Sequence, residues 1–171
     1  MNQYRTLINF GALAGLSAFV AFLIYYLVDS NPLGNVEWIT AWIPIVFIYQ
    51  GTKRWRDEEF KGFINYGKAF AAGLIITVAY ALLYGMLSYL FILLVDGGIF
   101  EAHLDEIMQG MEQARQFLGD EATDKMMEEV DKMTLFSAIT GNAFNKLFGG
   151  LLISLVVAGI LKKKETPFDQ A

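Results

Sequence analysis

The sequence predicts an all-α polytopic membrane protein: four transmembrane helices, with an acidic extracytoplasmic helical insertion between the third and fourth. Three observations predict it. First, the 171 residues are 55% hydrophobic and only 18% charged, with a positive mean hydropathy. Soluble domains sit nearer about 45–50% apolar and about 25% charged, and one core of this size cannot absorb the surplus. Second, the apolar residues are collected into long runs free of charge. Third, lysine and arginine are segregated along the chain.

Leu7 to Val28 is the first run, 22 residues without a charge. At 1.5 Å per residue it makes about 33 Å of helix, enough for a hydrocarbon core of roughly 30 Å. Arg5 precedes it and Asp29-Ser30-Asn31-Pro32-Leu33-Gly34, a turn-forming cluster, follows. A cleaved signal peptide has a shorter apolar stretch and small residues at its end. This run ends on Tyr25-Tyr26-Leu27-Val28, so it reads as a retained span. The second span, 34–52, is the weakest. Its apolar part, Trp38 to Tyr49, is 12 residues, and Glu37 must lie near the interface. Pro44 falls inside and predicts a kink, with Trp38, Trp42 and Tyr49 at the aromatic belts. The competing reading is a re-entrant or interfacial segment.

Residues 69–95 are uncharged throughout and form the third span. The fourth, 139–161, ends at Leu161, directly before Lys162-Lys163-Lys164. Its apolar pattern begins at Leu135 but is interrupted by Asn142, Asn145 and Lys146, which blurs its start. Between them, 96–134 is water-facing. Phe100, Leu104, Ile107, Met108, Met111 and Leu118 recur at spacings of three and four, the signature of an amphipathic helix. Gly119-Asp120 breaks the pattern, and Met126, Met127, Val130 and Met133 line a second helix. A hairpin resting its apolar face on the bundle or the membrane is the expected form.

Four crossings put Arg5, Lys53, Arg54, Arg56, Lys61, Lys68 and Lys162–Lys164 on one side, nine cations in all. The other side then holds only Arg115, Lys125 and Lys132. The positive-inside rule places both termini and the 53–68 loop in the cytoplasm of a bacterial inner membrane, multi-pass. Eleven acids against three cations give the 96–134 segment a formal charge of −8, suited to an external solvated surface.

At Thr52-Lys53-Arg54-Trp55-Arg56-Asp57, then Gly62-Phe63-Ile64-Asn65-Tyr66-Gly67-Lys68-Ala69-Phe70 and Gly73, the chain resembles the DUF4199 family, small bacterial membrane proteins of Bacteroidetes type. Gly67-Lys68-Ala69-Phe70 matches the core of the family pattern. The Lys-capped last helix and the Met- and Glu-rich segment before it also match. The resemblance implies topology; it implies no reaction, because the family brings none.

The candidate residues follow from this topology. Lys53, Arg54, Trp55 and Arg56 read either as a headgroup or partner contact or as a topogenic anchor with Trp55 and Phe60 at the interface. Gly67 closes a turn before the third span, and Lys68 snorkels to the headgroups. Small residues recur at helical spacing: Gly11 and Gly15 in the first span; Ala69, Gly73, Thr77, Ala81 and Gly85 in the third; Gly150 and Ser154 in the fourth, with Ala158 beyond. Such stripes let backbones approach in lipid, for packing within one bundle or for homo-oligomer formation. Lys146 shares a face with Asn142, Gly150 and Ser154. It either reaches the outer interface or the external acids, or serves an ion or substrate. Its placement opposite Tyr80 or Tyr84 in a sealed interior would favour transport.

Other chemistry finds little support. Net charge is −5 and excludes a nucleic-acid footprint, and the absence of cysteine excludes thiolate sites and disulfides. Lys125 stands where an EF-hand loop requires glycine, and no nucleotide-binding glycine signature occurs. His103 is the only histidine. It and the five methionines of 108–133 read as ordinary surface and packing residues rather than metal ligands. No catalytic residue, cofactor or metal is assigned. The expected function is that of a non-enzymatic structural, accessory or partner-binding protein. Its partners would be the lipid bilayer and either a second copy or another membrane protein, with no nucleic acid. The alternative is a small oligomeric transporter or channel-like protein.

Overall fold

The computed structural model of the protein describes residues 4–163, and of 35–37 the backbone alone. Six α-helices follow one another: α1 (Arg5–Leu27), α2 (Trp42–Phe60), α3 (Tyr66–Leu94), α4 (Gly98–Leu118), α5 (Asp120–Asp131) and α6 (Leu135–Leu161), with a 3-10 turn at Asn35–Thr40 before α2. Among the described residues the only extended pairing is a single antiparallel bridge between Ile64 and Lys163. Lys164, the third lysine after α6, and the side chain of Glu37 lie outside the described residues.

α1, α3 and α6 are apolar around most of their circumference, Asn142, Asn145 and Lys146 of α6 apart, which is the pattern of helices surrounded by apolar neighbours or lipid, and all three are long and apolar enough to cross a membrane. Each buries a narrow stripe and leaves the rest of its apolar surface outward. α1 buries Leu7, Gly11, Ala14, Ala18 and Phe22 while Leu13, Leu16, Val20 and Ile24 are exposed. α3 exposes Val78, Leu82 and Met86, and α6 exposes Phe148, Leu152 and Val156. Large contiguous apolar faces of this kind belong against lipid or another protein.

The small residues set the helix spacing. Gly11 lies against Ile76 and Ala79 of α3, and Gly15 against Tyr80 and Leu83. Further along, Phe19 and Phe22 meet Phe91, so α1 and α3 run parallel. α6 descends antiparallel to α3: Tyr89 meets Phe136, Gly85 faces Ile139, Thr77 covers Gly150, and Ser154 covers Gly73. α2 runs antiparallel to α1, with Phe47 on Phe10, Gly51 also against Phe10, and Trp55 stacked on Tyr4 at 6.2 Å.

The start of α1, the end of α2, the start of α3 and the end of α6 therefore meet at one end. The Thr6 hydroxyl donates to the Glu58 carboxylate at 2.9 Å. Arg56 donates to the Leu161 carbonyl at 3.4 Å, and Ile64 pairs with Lys163. All the described cations of the positive-inside count gather here. α4 and α5 lie at the other end as a hairpin, broken at Gly119 (φ +82) and joined to the bundle through the buried Ile99 and Phe100 beside it.

Several helix boundaries differ from the spans read in the sequence. The 34–52 stretch is not one helix: the 3-10 turn comes first and α2 starts at Trp42. Pro44 consequently sits in the first turn of α2, where no backbone N–H is required of it, and produces no mid-span kink. α2 also continues through Lys53–Phe60 and α3 begins at Tyr66, so only 61–65 of the expected 53–68 loop lies outside a helix. The Arg54–Glu58 pair at (i, i+4), 2.7 Å apart, supports that extension, as does Trp55 packed edge-on against Phe60 at 4.9 Å. The chain reverses at Lys61 (φ +52) and Gly62 (φ +89), left-handed conformations that end the helix. α6 begins at Leu135, four residues before the expected 139. A capping box holds it there: the Thr134 hydroxyl accepts from the Ser137 N–H at 3.2 Å and the Ser137 hydroxyl from the Thr134 N–H at 2.9 Å.

Candidate functional site

The apolar part of α2 is short. From Trp42 to Gly51 it offers about 15 Å of helix, whereas α1, α3 and α6 run on beside it with 23, 29 and 27 residues. Where α2 gives out, toward the α4–α5 end, a cavity of about 1040 Å³ opens between α2 and α6, backed by α3 and covered by α4. Its polar wall comes from α6 (Asn142, Asn145 and Lys146) and from α4 (His103 and Glu106). Its apolar wall includes Trp38, Phe148 and Leu152. These three are exposed, so the cavity is open sideways.

Lys146 projects from α6 toward α3. Its ammonium lies 4.4 Å from the centroid of the Tyr84 ring and 6.0 Å from that of Tyr80, and both tyrosines are buried. They are four residues apart on α3 and so present successive rings along one face. A cation over a tyrosine face is held by the ring quadrupole, at about 0.5–2 kcal/mol depending on desolvation. The contact positions the ammonium. The Glu106 carboxylate packs against Gly34 at the cavity's rim, and the Nδ1 atom of His103 is buried in the wall. Toward the basic end the cavity stops. There Gly150 is covered by Thr77 and Gly73 by Ser154, and the hydroxyls of Thr77 and Ser154 donate back to the carbonyls of Gly73 and Gly150 at 2.9 and 2.6 Å.

The other candidate residues lie at the basic end, far along the helices from Lys146. Lys53 and Arg54 are exposed, whereas Trp55 is only 5% exposed. Trp55 belongs to a core cluster with Leu7, Ile48, Ile64 and Leu161, so it plugs the space between the helix ends. Arg56 pairs with Asp57 at 2.8 Å. Gly67 lies inside the first turn of α3, not in a turn before it. The Asn65 side chain caps that turn by accepting from the Lys68 N–H at 2.9 Å. The Lys68 ammonium rests over the Phe60 ring, 4.3 Å from its centroid. Gly11, Gly15, Gly73, Thr77, Ala81, Gly85, Gly150 and Ser154 all fall on helix contacts within the chain; a second copy could use those stripes only by displacing them.

Three features escaped the sequence reading. The Asn65 and Thr134 caps were legible as side-chain acceptors three residues before their partners. The gathering of His103 and Glu106 near Lys146 was not, because it depends on where the hairpin turns back. Arg115 reads in the sequence only as one of three cations in an acidic segment. It meets Glu112 at 2.9 Å, Asp124 at 3.0 Å and Asp120 at 3.3 Å, with the Met127 sulfur at 3.7 Å. Hydrogen bonds to Glu112, Asp124 and Asp120, in that order, push its pKa further above the ordinary guanidinium value. This one side chain ties α4 to α5.

The architecture is thus all-helical, with three helices able to cross a bilayer and compatible with a membrane protein. The chain belongs to the DUF4199 family, proteins of unknown function, whose model matches residues 9–163. Neither a curated protein nor a solved structure matches it.

Proposed function

We propose that the protein is a four-span, non-enzymatic protein of the bacterial inner membrane, with both termini cytoplasmic and the α4–α5 hairpin outside, acting as an accessory or partner-binding subunit. One observation carries the reading. α1 and α3 are parallel membrane-length helices that start at the same end. The chain must therefore return through the thickness of the bundle between them, and α2, antiparallel to α1, is the element that does so. Cations at one end and the acidic hairpin at the other support the orientation. The hairpin touches the bundle sparingly and holds Phe117, 89% exposed, at its tip, which suits a surface offered to a partner.

The alternative, a small oligomeric transporter or channel, is favoured by Lys146 over Tyr84 and Tyr80 in a polar-walled cavity. Against it, the packing of Thr77 on Gly150 and of Ser154 on Gly73 closes the cavity's path toward the basic end. The chain has no cysteine, so single cysteines test the topology directly. In intact spheroplasts an impermeant maleimide is expected to label Asp29→Cys and Gln113→Cys, and to label Glu59→Cys only after permeabilisation. Asp29 and Glu59 flank the two ends of α2, so equal labelling of these two from one side excludes α2 as a span.

A further inference from the structure

We propose that two copies of the chain pair side by side through the outer face of α6. Asn145 meets Asn145 at the centre of the contact, and Phe148 of each copy sits on Gly149 of the other. The pairing rests on α6 crossing the bilayer in the same direction in both copies, whichever direction that is.

The make-up of the face is the first argument. α1 turns Leu13, Leu16, Val20 and Ile24 outward, and α3 turns out Val78, Leu82 and Met86, all of them large and apolar, as contact with acyl chains requires. α6 differs. Gly141 and Asn145 stand nine positions before Gly150 and Ser154, the residues packed on α3. Nine residues are two and a half turns, so Gly141 and Asn145 look directly away from the bundle, and both are exposed. Asn145 comes 17 residues before Lys162, about 26 Å of helix, which keeps its amide inside a core of about 30 Å. Among the described residues that amide makes no hydrogen bond. A bare amide in hydrocarbon is costly, and a bond to a second helix relieves the cost. An asparagine side chain carries both donor and acceptor, so a two-fold axis beside Asn145 satisfies both copies with the one residue, and a single polar position in an apolar seam also fixes its register.

Shape is the second argument. Asn145 and Leu152 run along the middle of the face, and Phe148 and Gly149 lie roughly 50° to either side of that line. A two-fold axis parallel to the helices sets one flank of α6 against the opposite flank of its copy at the same height. Phe148, 66% exposed, therefore falls on Gly149 of the second copy, where a Cβ would meet nothing within 4 Å. Gly149 also borders the cavity that opens sideways, so the incoming ring finds room. Acyl chains would cover Phe148 and leave the amide unpaired. A second copy supplies both the amide and the recess at matching heights.

The chain has no cysteine, so single cysteines in the full-length protein report the pairing without background. In native membranes Leu152→Cys is expected to form disulfide-linked dimers on mild oxidation, because matching positions at the middle of such a face bring their Cβ atoms within disulfide reach. Val20→Cys, on the outer face of α1, is expected to stay monomeric. Gly149→Leu fills the recess without touching its own chain and is expected to remove most of the Leu152→Cys crosslink. Asn145→Leu is expected to raise the dimer dissociation constant, read by Förster transfer between labelled copies in detergent, about three- to tenfold, and Asn145→Gln, which keeps an amide, by less. No crosslink at Leu152→Cys, or one as strong at Val20→Cys, overturns the pairing, and a crosslink to a different protein overturns the choice of a second copy. An undiminished crosslink with Gly149→Leu overturns the seating of Phe148, and an unchanged dissociation constant for Asn145→Leu overturns the role of the amide. Crosslinking between copies reads the same whichever side the termini face, so its failure is distinct from a failure of the maleimide labelling.

Discussion

Gly149 and Gly150 are neighbours in sequence with opposite surroundings. A Cβ at Gly150 would meet the Thr77 side chain, whereas one at Gly149 meets nothing within 4 Å. Gly150→Ala is expected to push α6 off α3, at a cost of about 1–3 kcal/mol for overpacking. Gly149→Ala should be neutral or stabilising by up to about 1 kcal/mol, since alanine loses less backbone freedom in a helix. Thermal unfolding of the two variants in one detergent separates them; equal midpoints would mean that the α3–α6 contact is slack. Glu58 permits a test in pH. Bonds from Arg54 and then Thr6 hold its carboxyl below the ordinary value of 4.5. A depressed pKa contributes stability that is present above the unfolded value and lost as pH falls through the folded one. The wild type should therefore exceed Glu58→Gln slightly at neutral pH, the margin being small for an exposed pair, and the two should converge in acid below about pH 4. A gap that persists at low pH would assign the effect to packing. The residue-scale pattern of small side chains every four positions was plain in the sequence. What each glycine faces was not, because spacing names a stripe and cannot say which stripe it meets.

The α4–α5 hairpin depends on Arg115 more than on burial, for α4 buries only Ile99, and α5 only Thr123 and Val130. Arg115→Gln removes the three carboxylate bonds at once and should raise amide exchange through 98–131 while leaving α1, α3 and α6 protected. Unchanged exchange in α5 would show that methionine packing suffices. At the junction with α6, Thr134→Ala removes one half of the capping box, a loss of about 1 kcal/mol. Fraying confined to the first turn, Leu135–Ala138, is the expected signature in exchange. Elements differ in how far their sequences disclose them. Gly119 marks the hairpin break because it alone supplies the positive φ there. The start of α6 is obscured by polar residues at 142, 145 and 146 that turn out to line a cavity. α2 misleads most: its apolar stretch and its charged stretch look like a span and a loop. One helix carries both, since Arg54–Glu58 pairing and the burial of Trp55 continue it past the last apolar turn.

At the scale of the whole molecule, hydropathy alone marks α1, α3 and α6 as long enough for a bilayer, while α2 depends on its neighbours and its flanking cations. Only Trp42–Gly51 of α2 is apolar, about half the length a solitary span needs. In the proposed topology its crossing would draw on packing against α1, through Phe10 and Phe47, and on the reluctance of Lys53, Arg54 and Lys61 to cross the bilayer. Those three side chains are exposed and, among the described residues, make only the Arg54–Glu58 ion pair. Their replacement by glutamine should leave the unfolding midpoint in detergent within about 0.5 kcal/mol of wild type. The same triple change, made in Glu59→Cys protein and expressed in cells, should let an impermeant maleimide label a fraction from outside, because chains in which α2 fails to cross expose its end. If Glu59→Cys stays wholly shielded, helix packing alone places α2, and the cations of the α2–α3 connection are not what orients the bundle.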